Sequence, residues 1–457
     1  MLGLLIKKEI RSHVLTYRFA MTLVLAFVLM LLGFSVMTAH YQGRMDAYSA
    51  SASGRADQIA KIKQIKDQQE RLGKLSELGI ASGYKPALLS ILSAGVENDL
   101  PVESHAGGWF SRSMDKTRFE NPFLSVLMAP DFTYIVAVIL SLLALIFSFD
   151  NICGEKEQQT LKLALSYSVP RHLILLSKWI GGYVVLICPV LLATGVALLI
   201  MNLQGCVQLD PGDGIRMVLM VGAALVYISL FYTAGIMIST LTHRAVTAMI
   251  IALFVWAAWV LVIPNISIVG AKLIVQVPTY NKIENEKNAI DEEIHLKIKA
   301  ISKTMLGYGD KAKKLQEALE QENKQRKQEL DEFYENKVAA QNRLCMMLSR
   351  LSPFAAFSYL SAALADTGIE LFRKYRIADK RFHDDFRDYL DKRWKEYSEK
   401  KLKDDWLKPD ELPAIIVNRS RLEDSINQAS FDFTILAVLN ILCFLTAFMC
   451  FLRYDVR

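Results

Sequence analysis

Six stretches of this chain contain no Asp, Glu, Lys or Arg: residues 19–43, 132–149, 179–209, 217–242, 245–271 and 433–452. Each is at least 18 residues long, and about 20 helical residues cover a hydrocarbon core of roughly 30 Å. A soluble protein can bury one such run. Six of them, with the charged residues gathered between, predict an all-α polytopic membrane protein with six transmembrane helices. The overall composition, 52% apolar and 22% charged over 457 residues, hides this segregation. The first run is not read as a cleavable signal, whose basic head is short and whose apolar region covers about 7–15 residues. Here the head spans 18 residues with Lys7, Lys8, Glu9, Arg11 and Arg18, and the apolar run that follows is 25 long.

Charge sets the expected orientation. With the N-terminus inside, the internal segments 1–18, 150–178, 243–244 and 453–457 hold eleven Lys/Arg against five acids. The external segment 44–131 balances at eleven against eleven, and the residues from 267 to 432 carry thirty against twenty-nine. The formal charge of +6 therefore sits on the side taken as cytoplasmic, as the positive-inside rule requires. The expectation is a multi-pass protein of the cell (inner) membrane with both termini cytoplasmic. The pI near 8.8 follows from membrane orientation and gives no case for nucleic-acid binding.

Between the spans, 1–18 reads as a cytoplasmic amphipathic N-terminal helix, with apolar positions 2, 4, 5, 6, 10 and 14. Residues 44–131 form a first extracytoplasmic segment. It opens on a helical pattern over 55–79 (Ile59, Ile62, Ile65, Leu72, Leu75, Leu78), after which Pro86, Pro101, Gly107-Gly108, Pro122 and Pro130 break the chain into loops. Residues 150–178 are a cytoplasmic segment, and 179–271 carry the third to fifth spans. Residues 272–432 form a second extracytoplasmic segment with a long helical hairpin: Ile283, Ile290, Ile294, Ile298, Ile301 and Met305 recur at helical spacing, Gly307-Tyr308-Gly309 interrupts, and a second run extends from Asp310 towards Arg350. A further charged helical pattern covers 369–404, with Trp394 and Trp406 as candidate packing anchors. The span 433–452 and a cytoplasmic tail, 453–457, complete the chain.

Recognisable catalytic chemistry is absent. There is no G-x-x-x-x-G-K-[ST] phosphate loop, no H-E-x-x-H and no G-x-S-x-G, and none of the seven histidines pairs with Cys or another His at ligand spacing. No catalytic, cofactor or metal site is read in this chain, which is not expected to be an enzyme by itself. The apolar runs hold no ionisable side chain except His40, whereas ion-coupled carriers use buried acids or bases, so energy for transport must come from outside the membrane domain. Asn202, Gln204, Tyr227, Tyr232 and Asn265 form no recognisable set and read as span-end or helix-packing residues. Of six cysteines, only Cys206 and Cys345 fall on the external side outside the membrane; a disulfide between them and two unpaired thiols are both compatible with the sequence.

The segment after the second run is the most informative. Glu155, Glu157 and Thr160 begin a short helix with acids in its first turn, and Leu161, Leu163, Leu165 and Val169 can seat against a partner. Pro170 ends the helix, Arg171 follows, and Lys178 marks the return to the bilayer. A short amphipathic helix between two spans is what a soluble motor needs to push on.

The pattern E-x-E-x-x-T-L-x-x-x-L-S-x-S-V-P-R-x-x-x-L-x-S-K resembles the coupling segment of bacterial type-2 ABC exporter permeases. The basic Lys7-Lys8-Glu9 and the turn I-S-T-L-T-H-R-A at 238–245 agree with it. The stretch 351–368 is similar to one in larger family members, which carry a big extracytoplasmic insertion before the last transmembrane helix. One departure is Gln159, where a Gly commonly precedes the Thr-Leu. The resemblance implies a permease that acts as a membrane dimer with an identical or similar subunit. Each subunit would dock a separate ATPase, which carries the ATP and magnesium, through Glu155, Glu157, Thr160, Leu161, Leu165, Val169, Pro170 and Arg171. A pathway would run between subunits along spans one, two and five. Export or extraction of a substrate is the leading expectation. The alternative is mechanotransmission or envelope assembly, in which the extracytoplasmic helices move an envelope partner and nothing crosses the membrane.

Overall fold

The computed structural model describes residues 2–107, 131–166, 169–203, 210–304, 309–399, 401–402 and 406–453. Among the described residues, six helices are long and apolar enough to cross a membrane: Tyr17–Lys63, Phe132–Glu157, Arg171–Ile200, Pro211–Leu241, Ala245–Ile274 and Leu422–Leu452. Each of the six predicted runs coincides with one of them. The fold is all-α and polytopic apart from one antiparallel strand pair, β1 (Ile80–Gly83) and β2 (Glu103–Ala106), with Ile80 opposite Ala106. Other helices are α1 (Leu2–Val14), α2 (Gln68–Leu78), α3 (Cys153–Glu157, the end of the second-span helix), α4 (Thr160–Ser166), α5 (Tyr280–Thr304), α6 (Gly309–Ser349), α7 (Pro353–Ala365) and α8 (Ile369–Ser398). Residues Met1–Val260 with Pro353–Arg457 form one compact unit and Leu261–Ser352 a second.

In the first unit, the opening span is a single helix of 47 residues, about 70 Å at 1.5 Å per residue. It is more than twice as long as the bilayer core is thick, so the helix expected over 55–79 starts as the continuation of the span. It stops at Lys63, and α2 begins anew after Asp67, whose carboxylate accepts from the amides of Gln69 and Glu70. The second span contains a π-helical stretch, Ile135–Leu140. The wider turn offsets its carbonyls, and neighbours satisfy them. Ala137 O accepts from Tyr227 Oη at 2.8 Å and from Ser141 Oγ at 2.6 Å, and Trp256 Nε1 donates to Ser141 Oγ at 3.0 Å. Spans three, four and six are tied by hydrogen bonds: Asn440 donates to Ser229 Oγ (2.8 Å) and accepts from Thr233 Oγ1 (3.1 Å), which accepts from Trp179 Nε1 (2.9 Å). Lipid offers no hydrophobic drive between helices, so such polar contacts carry part of the specificity of packing.

Helix α7, within the segment 272–432, is packed among the spans rather than standing free. Twelve of its thirteen residues are buried, it packs on the fourth and sixth spans, and Phe357 stacks on Tyr227 at 4.5 Å. A helix apolar on all sides must be buried all round, and thirteen residues are too few to cross. Its C-terminal carbonyl at Leu364 accepts from Arg216 Nη1 at 2.9 Å; the same guanidinium reaches Ser425 Oγ (2.9 Å) and Ser420 O (2.6 Å).

The chain around the strand pair and α8 forms a lobe with its own core. Ile59 and Ile62 of the first helix, Leu72 and Leu75 of α2, Ile80, Ala106, Phe382 and Phe386 of α8, Trp406, Leu407, Leu412 and Ile415 are all buried together. Trp406 is an anchor as expected, while Trp394 lies at the edge, 36% exposed, against Tyr397. Two sequence segments that read as separate thus share one core. A tight crossing fastens them: Gly95 (φ 51°) lies so close to Thr367 O that a Cβ there would collide, Val96 N donates to Thr367 O at 2.8 Å, and Thr367 Oγ1 donates to Ser93 O at 2.8 Å.

In the second unit, α5 and α6 form the expected antiparallel hairpin, roughly 37 and 62 Å long. Lys287 pairs with Asp331 (2.6 Å), Lys327 with Asp291 (2.5 Å) and Arg326 with Glu293 (3.1 Å), a register in which one index rises as the other falls. Ile283 and Ile294 are buried. The turn at Gly307-Tyr308 lies outside the described residues, as does Cys206, so the question of its pairing with the buried Cys345 stays with the sequence.

Candidate functional site

Residues 150–178 do not form the single short helix expected over 155–169. They form two: α3 follows the second span and α4 follows a break at Gln158-Gln159. Gln159 sits at φ 63°, the left-handed region that glycine enters without cost. Gln159, without the freedom of a glycine, holds this conformation at a cost of about 1–2 kcal/mol. Thr160 Oγ1 reaches back to Glu155 O at 3.4 Å.

Three consecutive side chains of α3 then grip three different spans. Glu155 Oε1 accepts from Lys178 Nζ at 2.7 Å, at the root of the third span. Lys156 Nζ donates to the carbonyls of Thr240 and Thr242 (3.0 Å to the latter), the last turn of the fourth span. A cation on the free carbonyls of a helix C-terminus is favoured by the helix dipole. Glu157 Oε2 accepts from the amide of Ala245 at 3.0 Å, at the N-terminus of the fifth span, where an acid is favoured for the converse reason. Ser239 Oγ accepts from the amides of Ile152 and Cys153, both at 2.9 Å, and Asn151 Nδ2 donates to Tyr232 Oη at 3.0 Å. The pair α3–α4 is fastened to the turn between spans four and five and to the root of span three.

A second polar layer supports this one. Lys178 also lies 3.5 Å from Glu9 of α1, and Arg18 pairs with Asp150 at 2.8 Å while its guanidinium lies 5.4 Å from the Phe149 ring centre. Helix α1 crosses the third span where Gly181 offers no side chain; a Cβ there would come within 2.7 Å of Glu9 Cβ. His13 packs its ring 5.1 Å from that of Phe147. Burial pushes its imidazole below the usual histidine range, with Glu9 opposing. The Arg171 guanidinium donates to Leu452 O at 2.9 Å, capping the last span.

The expected contact residues therefore divide. Leu161 is 1% exposed and seats α4 on the protein, whereas its neighbour Leu163 is 64% exposed. Glu155 and Arg171 are engaged within the chain; Glu157, although bonded to Ala245, stays exposed, as do Thr160 and Pro170, and Val169 is half-buried. The side chain of Leu165 lies outside the described residues. Sequence reading missed the roles of Lys156, counted only as positive-inside charge, of Lys178, read as the return to the bilayer, and of Asn440, a lone amide in an apolar run. Tyr227 and Tyr232 are buried packing residues, and Asn265 donates to Leu261 O of its own helix.

Residues 4–456 match the family model described as ABC-2 family transporter protein. Among curated proteins, none matches the chain.

Proposed function

The chain belongs to the ABC-2 transporter family, and from this premise we propose that it is the permease subunit through which ATP hydrolysis on a separate nucleotide-binding chain drives export or extraction of a substrate. The observation that supports coupling at 150–178 is the triple grip of Glu155, Lys156 and Glu157 on the roots of spans three, four and five. A force applied to α3–α4 is carried by short, charge-assisted bonds into three spans at once. The basic end of the bundle, with α1 and α3–α4, faces the cytoplasm of the cell (inner) membrane in this reading. The ATPase meets the exposed side of the pair, with Leu163, Thr160 and Pro170 outermost and Glu157 beside them. A second permease, identical or similar, completes the pathway.

The test is copurification of the co-expressed ATPase. Leu163→Asp places a charge on the exposed side of α4 and should abolish association while leaving membrane insertion and thermal stability unchanged. Leu161→Asp, by contrast, buries a charge and should reduce both. Undiminished copurification with Leu163→Asp removes the docking assignment.

The hairpin of α5 and α6, held in register by three ion pairs, favours one other reading, in which its movement acts on an envelope partner and nothing crosses the bilayer. A crosslink that locks the two membrane subunits together while leaving α5–α6 unmodified separates the two: transport stops under the first reading and activity survives under the second.

A further inference from the structure

We propose that the outward face of α1 binds the headgroups of anionic phospholipids. The helix has two unlike sides. Ile6, Glu9 and Ile10 face the third span at Gly181, and Glu9, the one acid of α1, is buried there beside Lys178. Leu4, Lys7, Lys8, Arg11 and Leu15, spaced by three and four, form a continuous exposed face. Lys8 lies 3.7 Å from Glu9 yet keeps two-thirds of its side chain exposed. The outward face thus carries three cations and no acid, with an exposed leucine at each end.

Its height fixes what it meets. Gly181, where α1 crosses, is the third residue of the charge-free run that begins at 179, so α1 lies at the level where hydrocarbon gives way to headgroups. Only Leu15 and Thr16 separate α1 from the first span, and Thr16 Oγ1 closes that turn on His13 O at 2.6 Å. At this depth the two leucines enter the acyl boundary and the three cations meet phosphates. A zwitterionic headgroup brings its own ammonium, and an anionic one does not, which gives the preference its sign. Lipid held on this face also braces the α3–α4 pair, because Glu9 on the inner face reaches Lys178 and Lys178 reaches Glu155. The binding proposal stands without the docking assignment, since its test uses the permease alone.

The test is native mass spectrometry of the purified full chain, delipidated and then offered phosphatidylglycerol and phosphatidylcholine in equal amounts. The wild type should retain phosphatidylglycerol roughly tenfold over phosphatidylcholine, and K7Q/K8Q/R11Q should bring the ratio close to one. K162Q, a cation of α4, should leave the ratio as it is. Equal retention of the two lipids by the wild type, or an unchanged ratio in the triple variant, overturns the proposal. Displacement of the lipid by an equal concentration of inorganic phosphate shows a bare anion site and overturns it too. A triple variant that keeps its lipid ratio but loses copurification of the ATPase assigns the face to a protein partner instead.

Discussion

At Gln159 one residue decides how two helices meet. Its backbone is left-handed without the freedom of glycine, so Gln159→Gly should raise the midpoint of thermal unfolding in detergent, by about 1 kcal/mol of added stability. Gln159→Val, branched at Cβ, should lower it by a similar amount. A lower midpoint for the glycine variant would mean that the turn is not strained. Glu97 makes a different residue-scale case, in the lobe. Its carboxylate is fully buried and accepts from Tyr84 Oη at 3.2 Å and Ala87 N at 3.0 Å, with Arg44 at 3.9 Å. Burial pushes it up to about 7, and Arg44, these hydrogen bonds and Arg419 offset only part of that. An acid raised in the folded state costs nothing below its unfolded value. Stability is lost as pH rises between about 4.5 and 7, by a few kcal/mol in all. Asp131, also held near 7 by burial against several backbone amides, acts in the same direction. The thermal midpoint of the wild type should therefore fall across that window more steeply than that of Glu97→Gln; parallel curves would rule this cause out.

At the scale of elements, α7 shows how a short apolar helix is held among spans. Arg216 supplies the hold, with one hydrogen bond to the Leu364 carbonyl at its C-terminal end and two more to Ser425 and Ser420. Arg216→Ala strands the Leu364 carbonyl and should cost about 2–5 kcal/mol, seen as faster amide exchange confined first to 353–365. Exchange that rises evenly over the molecule would place the damage elsewhere. The legibility of the sequence divides along the same line. The spans were readable because a charge-free run of that length has no other stable home. The hairpin was readable because Ile283 to Ile301 keep helical spacing and its charges fall opposite one another. The position of α7 was not: its apolar residues sit in a stretch flanked by charged segments, and a helix of thirteen residues satisfies neither the length of a span nor the polarity of a loop. The shared core of Ile59, Leu75, Phe386 and Trp406 was hidden because its members lie some three hundred residues apart and local periodicity carries no information at that range. In 150–178 the sequence pointed outward with Leu161, which is buried, because the break at Gln159 turns α4 relative to one continuous helix.

For the whole molecule, the two compact units differ in how they resist opening. The first has buried cores in the bundle and in the lobe, whereas α5 and α6 rest on a thin apolar seam and on ion pairs with at least one partner open to solvent, which contribute little. Amide exchange over 283–301 and 314–340 should be faster by orders of magnitude than over spans two and four. Exchange as slow as that of span four would reveal packing on α5–α6 that a single chain does not supply. The grip of α3 also has an order in time. Lys156 and Glu157 close on atoms 84 to 88 positions further along the chain. During synthesis, the grip therefore has only the bond between Glu155 and Lys178 until the fourth span and the start of the fifth have left the ribosome. Under the proposed docking, a truncated product would have no finished surface to offer an engine, and assembly with the ATPase would be reserved for chains whose membrane insertion has already passed the halfway mark.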